Sequence, residues 1–366
     1  ADITLFSPAD VPGLYEAFFA DQDKFRELYE RAERNTKLRK KTIPASQLFS
    51  SFMEERKNTG RIYLQNVDNA NDHGSFLPEL APIRQSNLCA EIDLPTKPLN
   101  DLNDPEGEIS LCTLSAINWG NIKTIADFER VCRLAVRGLD ALLSYQNYPI
   151  LAAQLSTEKR RPLGVGIINF AYWLAKNGLT YQHIDAAGLA LIDDVERMDW
   201  AGLREPLKAT GIRNSTLMAL MPAETSAQIA NATNGIEPPR SLISVKQSKH
   251  GVLKQVVPEF KRLKNKYDLL WDQKSPEGYL KIMAVLQKYV DQGISINTSY
   301  NPIFFEDEKI PMSTMLQHVL MFYKYGGKQL YYFNTNDGQG ELDISKMIGE
   351  LDQSAIDDED CESCTI

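Results

Sequence analysis

The sequence lacks long apolar runs, an excess of basic charge and patterned cysteines. Without a long apolar run or a recognisable signal peptide, we expect a soluble, cytoplasmic protein with no membrane partner. Its five cysteines, at irregular spacings, indicate a reducing compartment rather than a disulfide framework. After position 336, ten acidic residues against a single lysine account for the whole net charge of -9. The body of the chain is therefore nearly neutral, and nothing in it indicates a nucleic-acid surface.

Two familiar ligand motifs are incomplete. Gly164 and Gly166 precede a predicted helix, but a third glycine and an acidic ribose-binding partner are missing, which excludes a dinucleotide loop. Cys361 and Cys364 form a CxxC pair, which is typical of half a zinc site or of a redox pair. Since the sequence has no second pair of this kind, we predict no metal site. The pair lies in an acidic tail that we predict to be disordered.

The chain of 366 residues, 43% of them hydrophobic, is long enough to bury a large core. A first helix is predicted to start at residues 7–10 and to run to about 28, and further helices at about 44–58, 124–145 and 169–177. After position 215 the order becomes strand, helix, strand, helix pair, strand, helix, strand. The predicted strands are 217–221, 242–245, 294–298 and 329–333. This alternation is typical of an α/β fold with parallel strands joined by crossover helices.

Residues 84–94 carry a strict alternation of side-chain types. Asn87, Cys89 and Glu91 alternate with apolar residues as far as position 94. A period of two predicts an extended segment with one apolar face and one polar face. On this interpretation only an extended backbone places the amide, the thiol and the carboxylate side by side. Flanking prolines disfavour a helix, and an ordinary strand with one small buried cysteine is the simpler alternative.

Four further features are placed in predicted helices or strands by the same patterns. Residues 222–226 lead from a strand into a helix, where backbone N–H groups form either an anion site or a simple N-cap. Tyr331 and Tyr332 are compatible with aromatic residues in a core strand, and stacking of their rings would require a bend after the first. Cys112 lies in an apolar stretch predicted to be a buried strand. Cys132, inside a predicted helix, is interpreted as core packing.

Seven segments spread over nearly the whole chain are together more specific than any single motif. They are Gln-Ser-Asn-Leu-Cys-Ala-Glu at 85–91, Pro-Thr-Lys-Pro-Leu-Asn at 95–100, Leu-Cys-Thr-Leu-Ser at 111–115, Gly-Val-Gly-Ile-Ile-Asn-Phe at 164–170, Arg-Asn-Ser-Thr-Leu at 213–217, Asn-Ala-Thr-Asn-Gly-Ile-Glu-Pro at 231–238 and Leu-Tyr-Tyr at 330–332. Together they closely resemble the large subunit of class I (Ia-type) ribonucleoside-diphosphate reductase. Because members of that family are about twice this long, the chain resembles their C-terminal half only.

The resemblance implies the C-terminal half of a ten-stranded α/β barrel, with a central active-site finger loop, helical additions and a disordered acidic tail. It assigns residues 1–335 to the barrel and residues 336–366 to a mobile tail with the redox CxxC. Half a closed barrel leaves open sheet edges, so we expect the missing N-terminal half as a partner polypeptide. The connection between 181 and 193 is shorter than is usual in the family.

The resemblance also implies roles for individual residues. Cys89 would form a transient thiyl radical that abstracts the 3′ hydrogen of a ribonucleotide, while Glu91 acts as general base for the 3′ hydroxyl. Asn87 would hold the substrate and orient Glu91. Cys112 resembles one of two cysteines whose oxidation to a disulfide supplies the reducing electrons. In the family the second cysteine lies upstream of this chain's start, so we expect no turnover by this polypeptide alone.

The remaining implied sites concern substrate phosphate, radical transfer and re-reduction. The substrate diphosphate would bind at Pro222, Ala223, Glu224, Thr225 and Ser226. Tyr331 and Tyr332 would pass an electron and a proton between a small subunit and Cys89. Cys361 and Cys364 would re-reduce the active-site disulfide.

The implied activity is the reduction of ribonucleoside diphosphates to 2′-deoxyribonucleoside diphosphates. Its implied partners are the N-terminal half, a small subunit that contributes a metal and radical cofactor, and thioredoxin or glutaredoxin. No cofactor is expected to bind this chain directly, and allosteric nucleotides are expected on the missing half. Two alternatives remain: a non-catalytic remnant that binds or regulates a full reductase, and a thiol oxidoreductase built on the tail dithiol.

Overall fold

The computed structural model describes residues 1–182, 199–248 and 251–336. The strands are β1 Asp2–Leu5, β2 Lys41–Pro44, β3 Leu64–Gln65, β4 Leu114–Asn118, β5 Gly164–Ile168, β6 Ile243–Ser248, β7 Gly251–Val256, β8 Thr298–Tyr300, β9 Gln329–Leu330 and β10 Phe333–Thr335. The helices are α1 Leu14–Ala20, α2 Gln22–Arg34, α3 Ala45–Thr59, α4 Val67–Asp72, α5 Ile125–Tyr145, α6 Leu151–Arg160, α7 Phe170–Lys176, α8 Trp200–Thr210, α9 Glu224–Ile229, α10 Phe260–Leu263, α11 Glu277–Gln287 and α12 Met312–Lys324.

Parallel extended segments form one continuous row in chain order. Strand β4 pairs with β5, which is bridged to Met218; Leu220 is bridged to Ile294. The row continues from Ile296, whose carbonyl accepts the Tyr331 N–H at 2.7 Å, and through the parallel pair of β8 and β10. All five residues of β5 are buried, as expected for a parallel strand covered on both faces. The predicted parallel α/β arrangement is therefore confirmed, as half of a barrel.

Among the described residues the row does not close into a ring. Strand β4 pairs there with β5 alone, and at the other end β9 pairs with the antiparallel β3. The main core lies along the row and beneath α7, α11 and α12, with Ile167, Leu220, Met283, Ile294 and Phe322 all buried.

The structure corrects the prediction of a parallel strand at 242–245. Strand β6 instead forms an antiparallel hairpin with β7, from Ile243 opposite Val256 to Ser248 opposite Gly251. Closing a short local loop costs little chain entropy, so a neighbouring segment is the easier partner. The hairpin borders the cavity described below rather than extending the row.

Several predicted helices are confirmed, with one break. Helix α3 ends at Gly60 in the left-handed conformation (φ 68°), and the Thr124 side chain caps α5 by accepting the Asp127 N–H at 3.1 Å. The single helix predicted from residues 7–10 to about 28 is wrong, because Pro8–Asp10 form only a 3-10 turn and the first α-helix starts at Leu14. Asp21 is extended there and caps α2 through the Lys24 N–H, which separates α1 from α2.

The glycines of β5 have a packing role. A Cβ on Gly166 would lie 2.8 Å from the Met221 sulfur and 3.0 Å from the Ala219 carbonyl oxygen. Such distances are too short for any larger residue unless the neighbouring segment moves. The two glycines thus let adjacent segments of the row approach closely. Cys132 of α5 is partly buried and packs in a cluster with Ile117 and Val165 of the row, which confirms the predicted packing role.

Candidate active site

The predicted strand at 84–94 is a turn. Leu88 and Cys89 occupy the turn, and Ala90 adopts a positive φ of 57°. The Asn87 side-chain oxygen causes this geometry, since it accepts the backbone N–H groups of Glu91 at 3.0 Å and Ile92 at 3.1 Å. An asparagine side chain commonly competes with strand pairing in this way. Leu88 is consequently 77% exposed instead of buried.

The turn nevertheless brings together the polar side chains that the sequence singled out. The Asn87 Nδ2 donates to Glu91 Oε1 at 2.8 Å and lies 3.5 Å from the Cys112 sulfur. Cys112 itself precedes β4 and is exposed, so the prediction that it lies within a buried strand is wrong. Its exposure leaves the sulfur accessible beside the turn.

Glu91 is a buried carboxyl group, 1% exposed. Burial raises its pKa, hydrogen bonds from Asn87 and Ser295 oppose the rise, and the neighbouring Asp93 adds to it. A carboxyl group with a raised pKa can take and return a proton closer to neutral pH than an exposed one. This environment suits a general base.

Both cysteines of the site have raised pKa values. Burial is the main cause for the pKa of Cys89. Cys112 is exposed as a residue, and there the raised pKa comes from partial loss of water around the sulfur where it lies against the turn. The charge of Glu91 adds to both shifts. Reactive thiolates occur where positive charge lowers the thiol pKa. These two sulfurs therefore stay protonated at neutral pH, which suits loss of a hydrogen atom better than nucleophilic attack.

Tyr331 and Tyr332 lie at a bend in the row. Strand β9 ends just before them and β10 begins just after, and their ring centroids are 4.0 Å apart. The neighbouring rings thus lie side by side, as a local bend in the chain requires, but they are tilted by 48° rather than stacked. The Tyr331 hydroxyl is within hydrogen-bonding reach of Cys89, and Tyr331 is 6% exposed whereas Tyr332 is more open. The three side chains form a path from the surface to the thiol.

Two residues that sequence reasoning missed hold this bend. The Tyr63 ring lies 4.7 Å from Tyr331 and 5.6 Å from Tyr332. Hydrogen bonds with Tyr331 and Tyr63 lower the pKa of Tyr332. Arg56 of α3 is 1% exposed and donates to the carbonyls of Tyr331 at 2.8 Å and Tyr332 at 3.3 Å. No signal in the sequence could have identified Arg56, because its burial is visible only in the structure.

A cavity of about 810 Å³ opens beside Cys89 and the two tyrosines. This volume is in the range of small-molecule sites. Residues 222–228 form one wall. The N-cap position of α9 is Ala223, and no side chain caps the helix start. The simple N-cap interpretation of Thr225 and Ser226 is therefore wrong. All five residues predicted to bind phosphate line this cavity: Pro222, Ala223, Glu224, Thr225 and Ser226.

The cavity wall includes a carboxyl group that sequence reasoning did not single out. Burial raises the pKa of Glu237 to about 7. Asn297 donates to this carboxyl group through Nδ2 and accepts the Tyr332 backbone N–H at 2.9 Å. Asn297 thus connects the cavity wall to the tyrosine bend.

Cys361 and Cys364 lie outside the described residues, as does most of the 181–193 connection. Within the described ranges no cluster of three or more His, Cys, Asp or Glu side chains is arranged to hold a metal ion. In the same ranges, no helix combines the length and the apolar character needed to cross a bilayer.

Comparisons with known proteins identify the family of the chain. The family model described as "Ribonucleotide reductase, barrel domain" matches residues 1–191 and 189–333. Ribonucleoside-diphosphate reductase subunit alpha of Haemophilus influenzae is 51% identical, over 93% of this chain and 52% of its own length. Subunit alpha of reductase 1 of Escherichia coli K12 is 47% identical over 99% of this chain and 53% of its own. The enterobacteria phage T4 subunit alpha is 42% identical over the whole chain and 54% of its own.

A solved structure shows the same fold at lower identity. The class Id ribonucleotide reductase alpha subunit of Actinobacillus ureae has a TM-score of 0.60 and 22% identity, covering 80% of this chain and 61% of that one. The chain spans about half the length of the curated relatives it matches. With the barrel-domain match extending over nearly all of its length, the chain belongs to the ribonucleotide reductase large-subunit family.

Proposed function

We propose that this chain is the catalytic part of a class I ribonucleoside-diphosphate reductase large subunit. The observation that carries the proposal is that Cys89 lines one cavity together with the closely packed Tyr331 and Tyr332. The turn that carries Cys89 also holds the Asn87 and Glu91 pair beside Cys112. The family relatives are named for this activity.

In the proposed mechanism, a hydrogen atom leaves Cys89 along the tyrosine path toward an oxidant supplied by the small subunit. The Cys89 thiyl radical then takes the 3′ hydrogen of the substrate, while Glu91 accepts the 3′ hydroxyl proton. Glu91 is held for this step by Asn87 Nδ2 at 2.8 Å. The 2′ hydroxyl takes a proton from one of two thiols, Cys112 or a second cysteine, and leaves as water. C2′ gains the hydrogen of the other thiol, and the two sulfurs form a disulfide, which supplies the two electrons. Glu91 returns its proton to the 3′ oxygen, and Cys89 returns a hydrogen atom to C3′, which restores the thiyl radical.

Substrate binding is proposed for the cavity wall at 222–226, with the diphosphate at the start of α9. Backbone N–H groups at a helix start favour an anion.

The tail residues Cys361 and Cys364 are proposed to reduce the active-site disulfide by thiol exchange. Thioredoxin or glutaredoxin is proposed to reduce the tail in turn. The second active-site cysteine and the allosteric nucleotide sites are assigned to the N-terminal half of the large subunit.

The test is reconstitution. The chain is purified together with the polypeptide that carries the other half, the small subunit is added, and CDP reduction is followed with thioredoxin as reductant. We expect dCDP only when all three polypeptides are present. If the chain instead changes the activity of a complete reductase without forming dCDP, it is the regulatory remnant.

A further inference from the structure

Ser295 lies directly beneath the active-site turn, in the row segment between Ile294 and Ile296. Its side chain is 5% exposed, and its backbone N–H donates to the Leu220 carbonyl at 3.0 Å, which fixes its position in the row. Its hydroxyl lies 2.5 Å from the Cys89 carbonyl oxygen and 3.2 Å from Glu91 Oε2. One hydroxyl therefore contacts both the peptide that carries the thiol and the carboxyl group.

A serine hydroxyl has one hydrogen to donate, and a carbonyl oxygen and a carboxylate are both acceptors. When Glu91 is ionised, Ser295 can satisfy only one of them. When Glu91 is protonated, its O–H can donate to Ser295 Oγ, and the serine hydrogen is then available to the Cys89 carbonyl. Both contacts are complete only in this second state.

The other side of Glu91 gives no alternative path to the Cys89 peptide. Asn87 Nδ2 holds Oε1, and the Asn87 oxygen is already occupied by two backbone N–H groups. The titratable groups that face the carboxyl group are Cys89, Cys112 and Asp93, with Lys328 behind Asp93.

We propose that Ser295 is a positioning residue that couples the proton on Glu91 to the position of the Cys89 peptide. This inference rests on the proposed function and deepens it. When Glu91 takes the 3′ hydroxyl proton, the serine hydroxyl turns to the Cys89 carbonyl and holds the thiol in place. When Glu91 gives the proton back, the hydroxyl turns to the carboxylate and the peptide is released. The serine keeps its own hydrogen throughout, so only one proton is transferred.

The first test measures Glu91 in the chain itself. Infrared spectra over a range of pH are compared with those of Glu91→Gln, which isolates the band of this carboxyl group. Ser295→Ala removes a donor to the carboxylate, so we expect its titration midpoint to rise by about 1 pH unit. Ser295→Thr keeps the hydroxyl and should titrate like the parent. Ser295→Cys has a weaker donor, so its titration midpoint should lie between those of the alanine and threonine variants. It takes the place of Ser295→Ala if the alanine variant does not fold.

The matched control is Ser299→Ala. It makes the same change nearby in the row, where the Ser299 hydroxyl contacts Asn334 at 3.2 Å, and it should leave the Glu91 midpoint unchanged. An unshifted midpoint in Ser295→Ala would overturn the proposal. So would an equal shift in Ser299→Ala, because the effect would then be general.

The second test uses the reconstituted enzyme. In Ser295→Ala we expect kcat for CDP to fall by about tenfold, the acid limb of its pH profile to move to higher pH, and KM to stay within about twofold. Ser295→Thr should restore both kcat and the limb. A lower kcat with an unmoved limb indicates a merely structural role and contradicts the coupling. If the parent enzyme makes no dCDP, the proposed function fails, whereas the infrared titration still decides the Ser295 contact.

Discussion

At the residue scale, a substitution at Tyr332 distinguishes a role in radical transfer from a role in packing. Replacing Tyr332 by Phe removes one oxygen and little volume, so the free energy of unfolding should change by less than about 1.5 kcal/mol. The same change removes the O–H bond through which a radical would pass, and CDP reduction should disappear. Urea unfolding and a turnover assay measure the two effects. Tyr148→Phe, which loses a remote hydroxyl contact with the Leu143 carbonyl, is the control and should keep activity. Normal turnover in Tyr332→Phe would leave only a packing role.

Glu237 gives a prediction about stability and pH. Its pKa is raised from 4.5 to about 7 by burial, so the folded state prefers the neutral form. This contribution is present below the unfolded pKa and is lost as the pH rises from 4.5 through about 7. Glu237→Gln stays neutral. Relative to this variant, the parent should lose roughly 1–3 kcal/mol of unfolding free energy between pH 5 and pH 8. Parallel stability curves for the two proteins would show that the group titrates normally.

At the scale of elements, Arg56 ties α3 to the tyrosine bend. Besides the two tyrosine carbonyls, it donates to the Ile62 carbonyl. Burial lowers its pKa to about 10, so the side chain stays charged at neutral pH. Lysine has one ammonium group in place of the several N–H donors of the guanidinium, so Arg56→Lys should leave buried carbonyls unpaired. The free energy of unfolding, measured in urea, should fall by about 2–4 kcal/mol. The exposed Arg31→Lys, paired with Glu27 at 3.8 Å, should change stability by less than about 0.5 kcal/mol. Similar values for both variants would contradict the role assigned to Arg56.

The elements also show what the sequence could and could not predict. Helices with a local signal, such as Thr124 before α5 or Gly60 after α3, were predicted correctly because their ends depend on neighbouring residues. The alternation at 84–94 was misread, since the Asn87 side chain folds the backbone into a turn that brings the same residues together. The role inferred for Ser295 was not predictable. It depends on contacts with residues more than 200 positions away.

At the scale of the whole molecule, the proposed function places reduction of the substrate in the half barrel and re-reduction of the active-site disulfide in the acidic tail. If Cys361 and Cys364 only re-reduce the active site, the double Ser variant of the reconstituted enzyme should still form roughly one product per pre-reduced site. Sustained turnover with thioredoxin should stall, because on the proposed function the tail dithiol carries electrons from thioredoxin to the active-site disulfide. Dithiothreitol should restore cycling in part. Unchanged cycling with thioredoxin would show that the tail dithiol is dispensable.

The central claim is that Cys89 carries the chemistry, and it is tested most directly by dCDP formation in the reconstituted enzyme. Cys89→Ser should abolish the reaction while CDP binding stays within a few fold, because a serine O–H bond is too strong to pass the radical. Cys132→Ser, the same change at the partly buried cysteine of α5, should keep turnover within about twofold if its packing cost stays small. dCDP formation by Cys89→Ser at a rate comparable to the parent would contradict the account.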